Sequence, residues 1–390
     1  TIAFKDMALS ILPHLLTAAA RKNNITNDIV ILTATSGDTG KAALAGFADV
    51  PGTRIVVFYP DGGVSNIQRL QMVTQKGDNT CVIGVKGNFD DCQSAVKKMF
   101  NDPDLAERVN AMGYQFSSAN SINIGRLVPQ VVYYIWAYLR LVKSGEIKSG
   151  DPINFVVPTG NFGNILAGYY AKLMGLPVNR FICASNDNKV LFDFFKSGTY
   201  DKNRDFILTN SPSMDILISS NLERLIYMAC GENEAVNREL MDCLTKTGKY
   251  TITDEMKDNL SDFTGCYAGD SESLNEIKRL YDSSEYIIDT HTAVAACAYE
   301  KYLKDTGDTT PAVIVSTASP FKFIHAVVSS LDPEHAEMLS DYDLIFRLDM
   351  LNGKQGIPKA IKEILSQPIR HKTVCTIDEM ESKVTDFLRS

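Results

Sequence analysis

Three short loops and one lysine hold the residue types that could do chemistry in this chain. "TATSGDTGKAA" (33–43), "VVPTGNFGN" (156–164) and "VIVSTASPFKF" (313–323) each begin on an apolar run, pass through small or polar residues and open a helix. That order gathers free backbone N–H groups around an anion. Ser36, Gly37, Thr39 and Gly40 are small or hydroxyl residues in the first loop. In the second, Gly160 and Gly163 permit close backbone approach, and Asn161 and Asn164 offer amide donors. Ligands of open α/β sheets bind outside the carboxyl ends of the strands. Three such loops imply one polar site with at least two anion pockets. Ordinary βα turns favour the same residues, so the loops alone leave the choice open.

The first loop is not a nucleotide loop. Gly40-Lys41 fits the end of G-x-x-x-x-G-K-[ST], but Thr35 stands where the first glycine belongs and Ala42 where the magnesium-binding hydroxyl belongs. No G-x-G-x-x-G fits a dinucleotide fingerprint here. Lys5 opens a segment whose Ala8, Leu9, Leu12, Leu15 and Leu16 recur at helical spacing. An ammonium at a helix start faces the positive end of the macrodipole, which favours the neutral amine that Schiff-base chemistry needs. A surface pair with Asp6 is the plainer reading of the same lysine.

Strands alternating with helical patterns must position these groups. "DIVILTA" (28–34), "RIVVFY" (54–59), "TCVIGV" (80–85), "INFVVP" (153–158), "RFICA" (180–184), "EYIID" (285–289) and "AVIVST" (312–317) read as strands buried on both faces, in βαβ units with parallel sheets. The polar stretch 141–151 carries two S-G pairs and predicts a domain boundary near 150. Residues 186–275 read mostly helical. "LVPQVVYYIWAYLRLV" (127–142) is too short for a typical membrane span and reads as a buried helix. Thr376 to Glu379 forms a capping box before a final helix. The net charge of −8 carries no nucleic-acid footprint. Eight scattered cysteines without a C-x-x-C pair suggest reduced thiols and a cytoplasmic protein. The five histidines show no metal spacing, and His291 reads as a residue that caps and packs.

Taken in order, "AFKD", "TATSGDTG", "NSINIGR" (120–126), "VVPTGNFGN", "DTHTAVA" (289–295) and "VSTASPFKF" resemble threonine synthase, a fold-type-II enzyme dependent on pyridoxal phosphate. "GNFDDCQ" (87–93) and "SPSMDILISSNLERL" (211–225) extend the resemblance through the whole chain. It implies an α/β protein of two open, mainly parallel sheet domains with tryptophan-synthase-β-like architecture. Residues 1–150 would form a smaller domain with the Schiff-base lysine and substrate loop. Residues 151–390 would form a larger one with the cofactor-phosphate loop and a helical insertion at 186–275.

The resemblance implies that Lys5 holds pyridoxal 5′-phosphate as a Schiff base. Gly160, Asn161, Phe162, Gly163 and Asn164 would cradle the cofactor phosphate. Asp38 would face the ring 3′-oxygen, and Thr317 would meet the pyridine nitrogen. Ser36, Gly37, Thr39 and Gly40 would bind the substrate carboxylate. Arg126, with Asn120, Ser121 and Asn123, would hold the substrate phosphate, and Lys41 is a further candidate contact. The implied reaction turns O-phospho-L-homoserine and water into L-threonine and phosphate. A related phospho-lyase would release 2-oxobutyrate, ammonia and phosphate instead. "GNFGN" and Asp38 argue against a serine or cysteine synthase. Other readings are a non-catalytic binding protein and an ATPase, the latter opposed by Thr35 and Ala42. The expected partner is the small-molecule substrate alone, with no nucleic acid or membrane, and the expected state is monomer or homodimer. The family carries a long segment before its lysine, whereas four residues precede Lys5; the expectation is a missing N-terminal portion and incomplete cofactor occupancy.

Overall fold

Residues 2–35, 37–120, 123–353 and 356–389 are described by a computed structural model. Within them the strands are β1 (Asp28–Ala34), β2 (Thr53–Pro60), β3 (Thr80–Val85), β4 (Tyr114–Ser117), β5 (Ile153–Pro158), β6 (Val178–Ser185), β7 (Thr199–Asp201), β8 (Lys249–Thr251), β9 (Phe263–Tyr267), β10 (Ala312–Ile314) and β11 (Thr373–Cys375). The chain divides into two compact units. Unit 1 is Thr1–Pro129 with Ile357–Ser390, and unit 2 is Gln130–Gly356. The division falls at 129/130 instead of near 150, because the helix Val131–Ser144 packs its buried residues into unit 2.

Unit 1 is a parallel sheet in the order β11-β3-β2-β1-β4. Its inner strands β1, β2 and β3 are buried almost throughout, as parallel strands flanked by helices must be. The period of two sorts β1 residues into two cores. Val30, Leu32 and Ala34 join Val56, Phe58 and the C-terminal Met380, Val384 and Leu388. Ile29 and Ile31 join Ile55, Val57 and the helix residues Leu9, Leu12, Leu44 and Phe47. Each such large side chain contributes roughly 1.5–3 kcal/mol by leaving water. The helix Lys5–Lys22 buries Ala8, Leu9 and Leu12, whereas Leu15 stays exposed.

Unit 2 carries a second parallel sheet, β10-β5-β6-β9, and an antiparallel pair, β7-β8. The segment 186–275 is therefore not purely helical: it holds β7, β8 and the sheet strand β9. Short strands of three residues with one buried position each carry too little periodicity to be read in sequence. "EYIID" forms no strand; Glu285 ends a helix in the left-handed region and Asp289 caps the next, leaving extended chain between two caps. The helix at 131–144 is not buried all round. Val131, Tyr134 and Tyr138 face inward, while Val132, Trp136 and Leu139 are 56%, 62% and 53% exposed. An apolar run fixes no burial face unless polar residues mark the other side. Among the described residues no helix is long and apolar enough to cross a membrane.

Candidate active site

In unit 1 the candidate residues gather where β1 and β4 end side by side. The turn after β1 needs Gly37, whose φ is 127°, a region that side chains rarely adopt. Thr35 Oγ1 accepts the N–H groups of both Gly37 and Gly40 at 2.9 Å, so the turn closes on itself. The helix Asp38–Phe47 follows, with Thr39 half-buried in its first turn. Asp38 is 5% exposed, at the positive end of that helix. Lys5 Nζ donates to Asp38 Oδ2 at 3.3 Å, and Gln68 Nε2 donates to Oδ1 at 3.1 Å. The buried Asp38 is thus a partner of Lys5. Taking Lys5 away removes a cation from the buried Asp38 carboxylate, which is destabilising.

After β4, Asn123 caps the short helix Ile124–Leu127 by accepting the Gly125 N–H at 2.9 Å, and its Nδ2 donates to the Ser118 carbonyl at 3.0 Å. Asn120 lies in the same turn, its N–H on Ser118 Oγ. Arg126 is no surface arginine. It is 5% exposed, and its Nη1 donates to the Ala119 carbonyl at 2.9 Å. Lys41 points to Gln75, whose Oε1 it meets at 2.5 Å. Ser36 and Ser121, both expected at the substrate, lie outside the described residues.

In unit 2 the loop after β5 opens the helix Gly163–Leu173. Phe162 caps it with φ of 62°, a conformation costing about 1–3 kcal/mol for a bulky residue. Its buried ring packs on Phe195 and Phe263 at centroid distances of 6.1 and 5.8 Å, contacts that offset part of that cost. The loop carbonyls are tied from behind. Ser219 Oγ donates to Gly160 O at 2.7 Å, and the Asn221 Nδ2 and N–H donate to Asn161 O at 2.8 and 3.1 Å. A Cβ at position 160 would stand 2.8 Å from the Ser213 carbonyl, so only glycine fits. Ser213 is fixed in turn by its N–H on His291 Nε2 at 3.1 Å, and the other ring nitrogen lies 3.3 Å from Asp289. With Nε2 accepting, His291 packs and orients instead of passing protons.

The first N–H groups of the Gly163–Leu173 helix have no partner within the helix. Beside them, Asn164 Nδ2 is buried with no hydrogen-bond partner among the described residues, an omission that costs about 1–3 kcal/mol unless an acceptor arrives. Val315 extends the pairing of β10 with β5 through its N–H on Val156 O at 2.9 Å. Thr317, 7% exposed, thus emerges at the same end of the sheet as the Gly160–Asn164 loop.

Four supporting residues escaped the sequence reading. Thr35 drew notice only as a misplaced nucleotide-loop residue. Gln68 sits in the S-x-x-Q capping box that it forms with Ser65, a visible signal for a helix start but not for an Asp38 partner. Ser219 and Asn221 lie inside "SPSMDILISSNLERL", without anything local to mark them as struts.

The family model described as pyridoxal-phosphate dependent enzyme matches residues 1–318, and that described as threonine synthase, C-terminal, matches 292–386. Human threonine synthase-like 1 is 40% identical over 97% of this chain and 51% of its own length. Threonine synthase of Saccharomyces cerevisiae is 37% identical over 85% of this chain and 67% of its own length. The pyridoxal-phosphate-bound threonine synthase of Brucella melitensis superposes with a TM-score of 0.85 at 34% identity, covering 100% of this chain and 76% of that one. The chain spans about half the length of the threonine synthase-like relatives it matches.

Proposed function

Because the chain belongs to the pyridoxal-phosphate-dependent enzymes of fold type II, in their threonine synthase branch, we propose that it converts O-phospho-L-homoserine and water into L-threonine and phosphate. The observation that carries the reading is the ion pair of half-buried Lys5 with buried Asp38, which follows the turn after β1. The residues fit the family's cofactor: the unpartnered Asn164 amide suits a phosphate oxygen, as does the glycine at 160 that lets the backbone close in. Gly160 to Asn164 would hold that phosphate and Thr317 the ring nitrogen. When bound, pyridoxal phosphate supplies the electron sink for bond breaking next to the substrate amine.

Asp38 keeps the Lys5 amine oriented, and Lys5 acts as the proton carrier. Lys5 takes the α-proton of the substrate and then a proton from Cβ, so that phosphate can leave Cγ. It delivers a proton at Cγ, and returns one to Cα after the water oxygen has bonded to Cβ. In the turn of Ser36, Gly37, Thr39 and Gly40, the hydroxyls of Ser36 and Thr39 would orient the substrate carboxylate, since Thr35 already holds the Gly37 and Gly40 N–H groups. Arg126, with Asn120, Ser121 and Asn123, binds the leaving phosphate, for which a guanidinium fork is suited.

The phospho-lyase outcome stays a second reading, since relatives named threonine synthase-like 1 match over 97% of the chain. Both share the early steps and part after phosphate leaves. Product analysis with O-phospho-L-homoserine decides: threonine supports the synthase, 2-oxobutyrate with ammonia supports the lyase, and neither product overturns both. Eight free cysteines among the described residues suit a reducing compartment. We propose a cytoplasmic monomer or homodimer, checked by a fluorescent fusion and by sedimentation.

A further inference from the structure

We infer that Tyr134 is a positioning residue that sets the Asn164 side-chain amide as a donor to the cofactor phosphate. The inference rests on the assignment of the Gly160–Asn164 loop to that phosphate. The Tyr134 hydroxyl lies 2.8 Å from the Asn164 carbonyl oxygen and 2.9 Å from its Oδ1. Its one proton is shared between the two Asn164 oxygens, which leaves Nδ2 as the amide's remaining polar group, buried and without a hydrogen-bond partner among the described residues. Desolvation raises the phenol well above its ordinary value, so the group stays a hydrogen-bond donor.

The ring is held as firmly as the hydroxyl. Phe155 meets it edge-on at 4.8 Å between centroids, and Phe181 does so at 6.5 Å. A Cβ at Gly168 would lie 2.6 Å from Tyr134 Cε1, so this glycine lets the ring close on the Gly163–Leu173 helix. A glycine seat, two aromatic walls and a two-point hydroxyl contact converge on one amide. Packing alone needs only a phenyl ring. Among the described residues the hydroxyl hydrogen-bonds to Asn164.

The test is a titration of the 390-residue chain with pyridoxal phosphate, followed by absorbance and by the phosphorus resonance of the bound cofactor. Tyr134→Phe and Asn164→Ala are each expected to weaken binding about tenfold and to shift the resonance alike. The double variant should weaken it no further, since the hydroxyl acts through the amide. Wild-type affinity in Tyr134→Phe, or a further tenfold loss in the double variant, overturns the inference. Should Tyr134→Phe not fold, unchanged affinity in Asn164→Ala overturns it, and a tenfold loss with a shifted resonance upholds it. Absence of cofactor binding by the wild-type chain overturns the loop assignment itself, and this inference with it.

Discussion

The two helix-opening turns share a sequence style and solve opposite problems. After β1, Thr35 absorbs two N–H groups, and Asp38 is shared between Lys5 and Gln68. That turn is satisfied from within and stores a charged pair. After β5, the carbonyls are pulled back by Ser219 and Asn221, while a buried amide of Asn164 stays unpartnered. That turn is satisfied on its acceptor side only. Small residues at a strand end thus do not reveal whether a loop is built to hold a bound anion or to orient a side chain. What lies behind the loop decides.

The comparison breaks most sharply at Lys5. Lys5→Ala is expected to abolish turnover, by roughly a thousandfold or more, and to remove the lysine-dependent absorbance of the loaded protein. A variant that keeps both would end the assignment of the charged pair to chemistry. Next come the struts. Ser219→Ala removes the side-chain donor to the Gly160 carbonyl and Asn221→Ala one of the two donors to the Asn161 carbonyl, so cofactor affinity should fall, by roughly tenfold (about 1–2 kcal/mol) for Ser219→Ala and by less for Asn221→Ala. Thr35→Val should instead lower the melting temperature and spare the affinity for cofactor phosphate. Equal effects of the two changes on binding would erase the distinction drawn between the turns.

Arg126→Gln sharpens the assignment of unit 1 to substrate. Removing one partner of a charge pair should raise KM by about thirtyfold, roughly 2 kcal/mol, while cofactor titration stays unchanged. An unaltered KM would free Arg126 from that role. The smallest effect concerns the segment behind the β5 loop. Burial raises the Asp215 carboxyl above its unfolded value, against hydrogen bonds from Thr209 and Asn186 that lower it. A raised folded value means that the group's stability is present below the ordinary aspartate range and is lost as pH rises through the raised value. The melting-temperature gap between wild type and Asp215→Asn should change across that window and hold constant above it. A gap that is flat throughout would remove Asp215 from the account.

Much of this was legible because the relevant signals are local. β1, β3 and β5 have the expected limits, since continuous apolar runs ending in Pro, Gly or small residues leave few alternatives. The helix starts at Lys5 and Asp38 follow from spacing and turn residues. The unread parts depend on distant partners. β4, β9 and β11 are short strands whose neighbours, not their residues, make them strands. Burial of Arg126 and exposure of Trp136 depend on which face a helix turns inward, a choice that apolar content alone leaves unmade. Ser219 meets Gly160 across a sequence gap of 59 residues, and no window of pattern spans that.

Unit 1 is discontinuous, and this bears on how the molecule is made. β11 pairs with β3, Arg54 Nη1 donates to the Phe387 carbonyl at 2.7 Å, and Met380, Val384 and Leu388 complete a core begun by Val30 and Leu32. During synthesis, the ribosome must finish all of unit 2 before that core can close. At about 5–20 residues per second, the wait lasts roughly ten seconds or more. Through that interval the outer edge of β3 stays unpaired and the part of one sheet face that Met380, Val384 and Leu388 will cover stays open, the state in which nascent chains recruit chaperones or stick to each other.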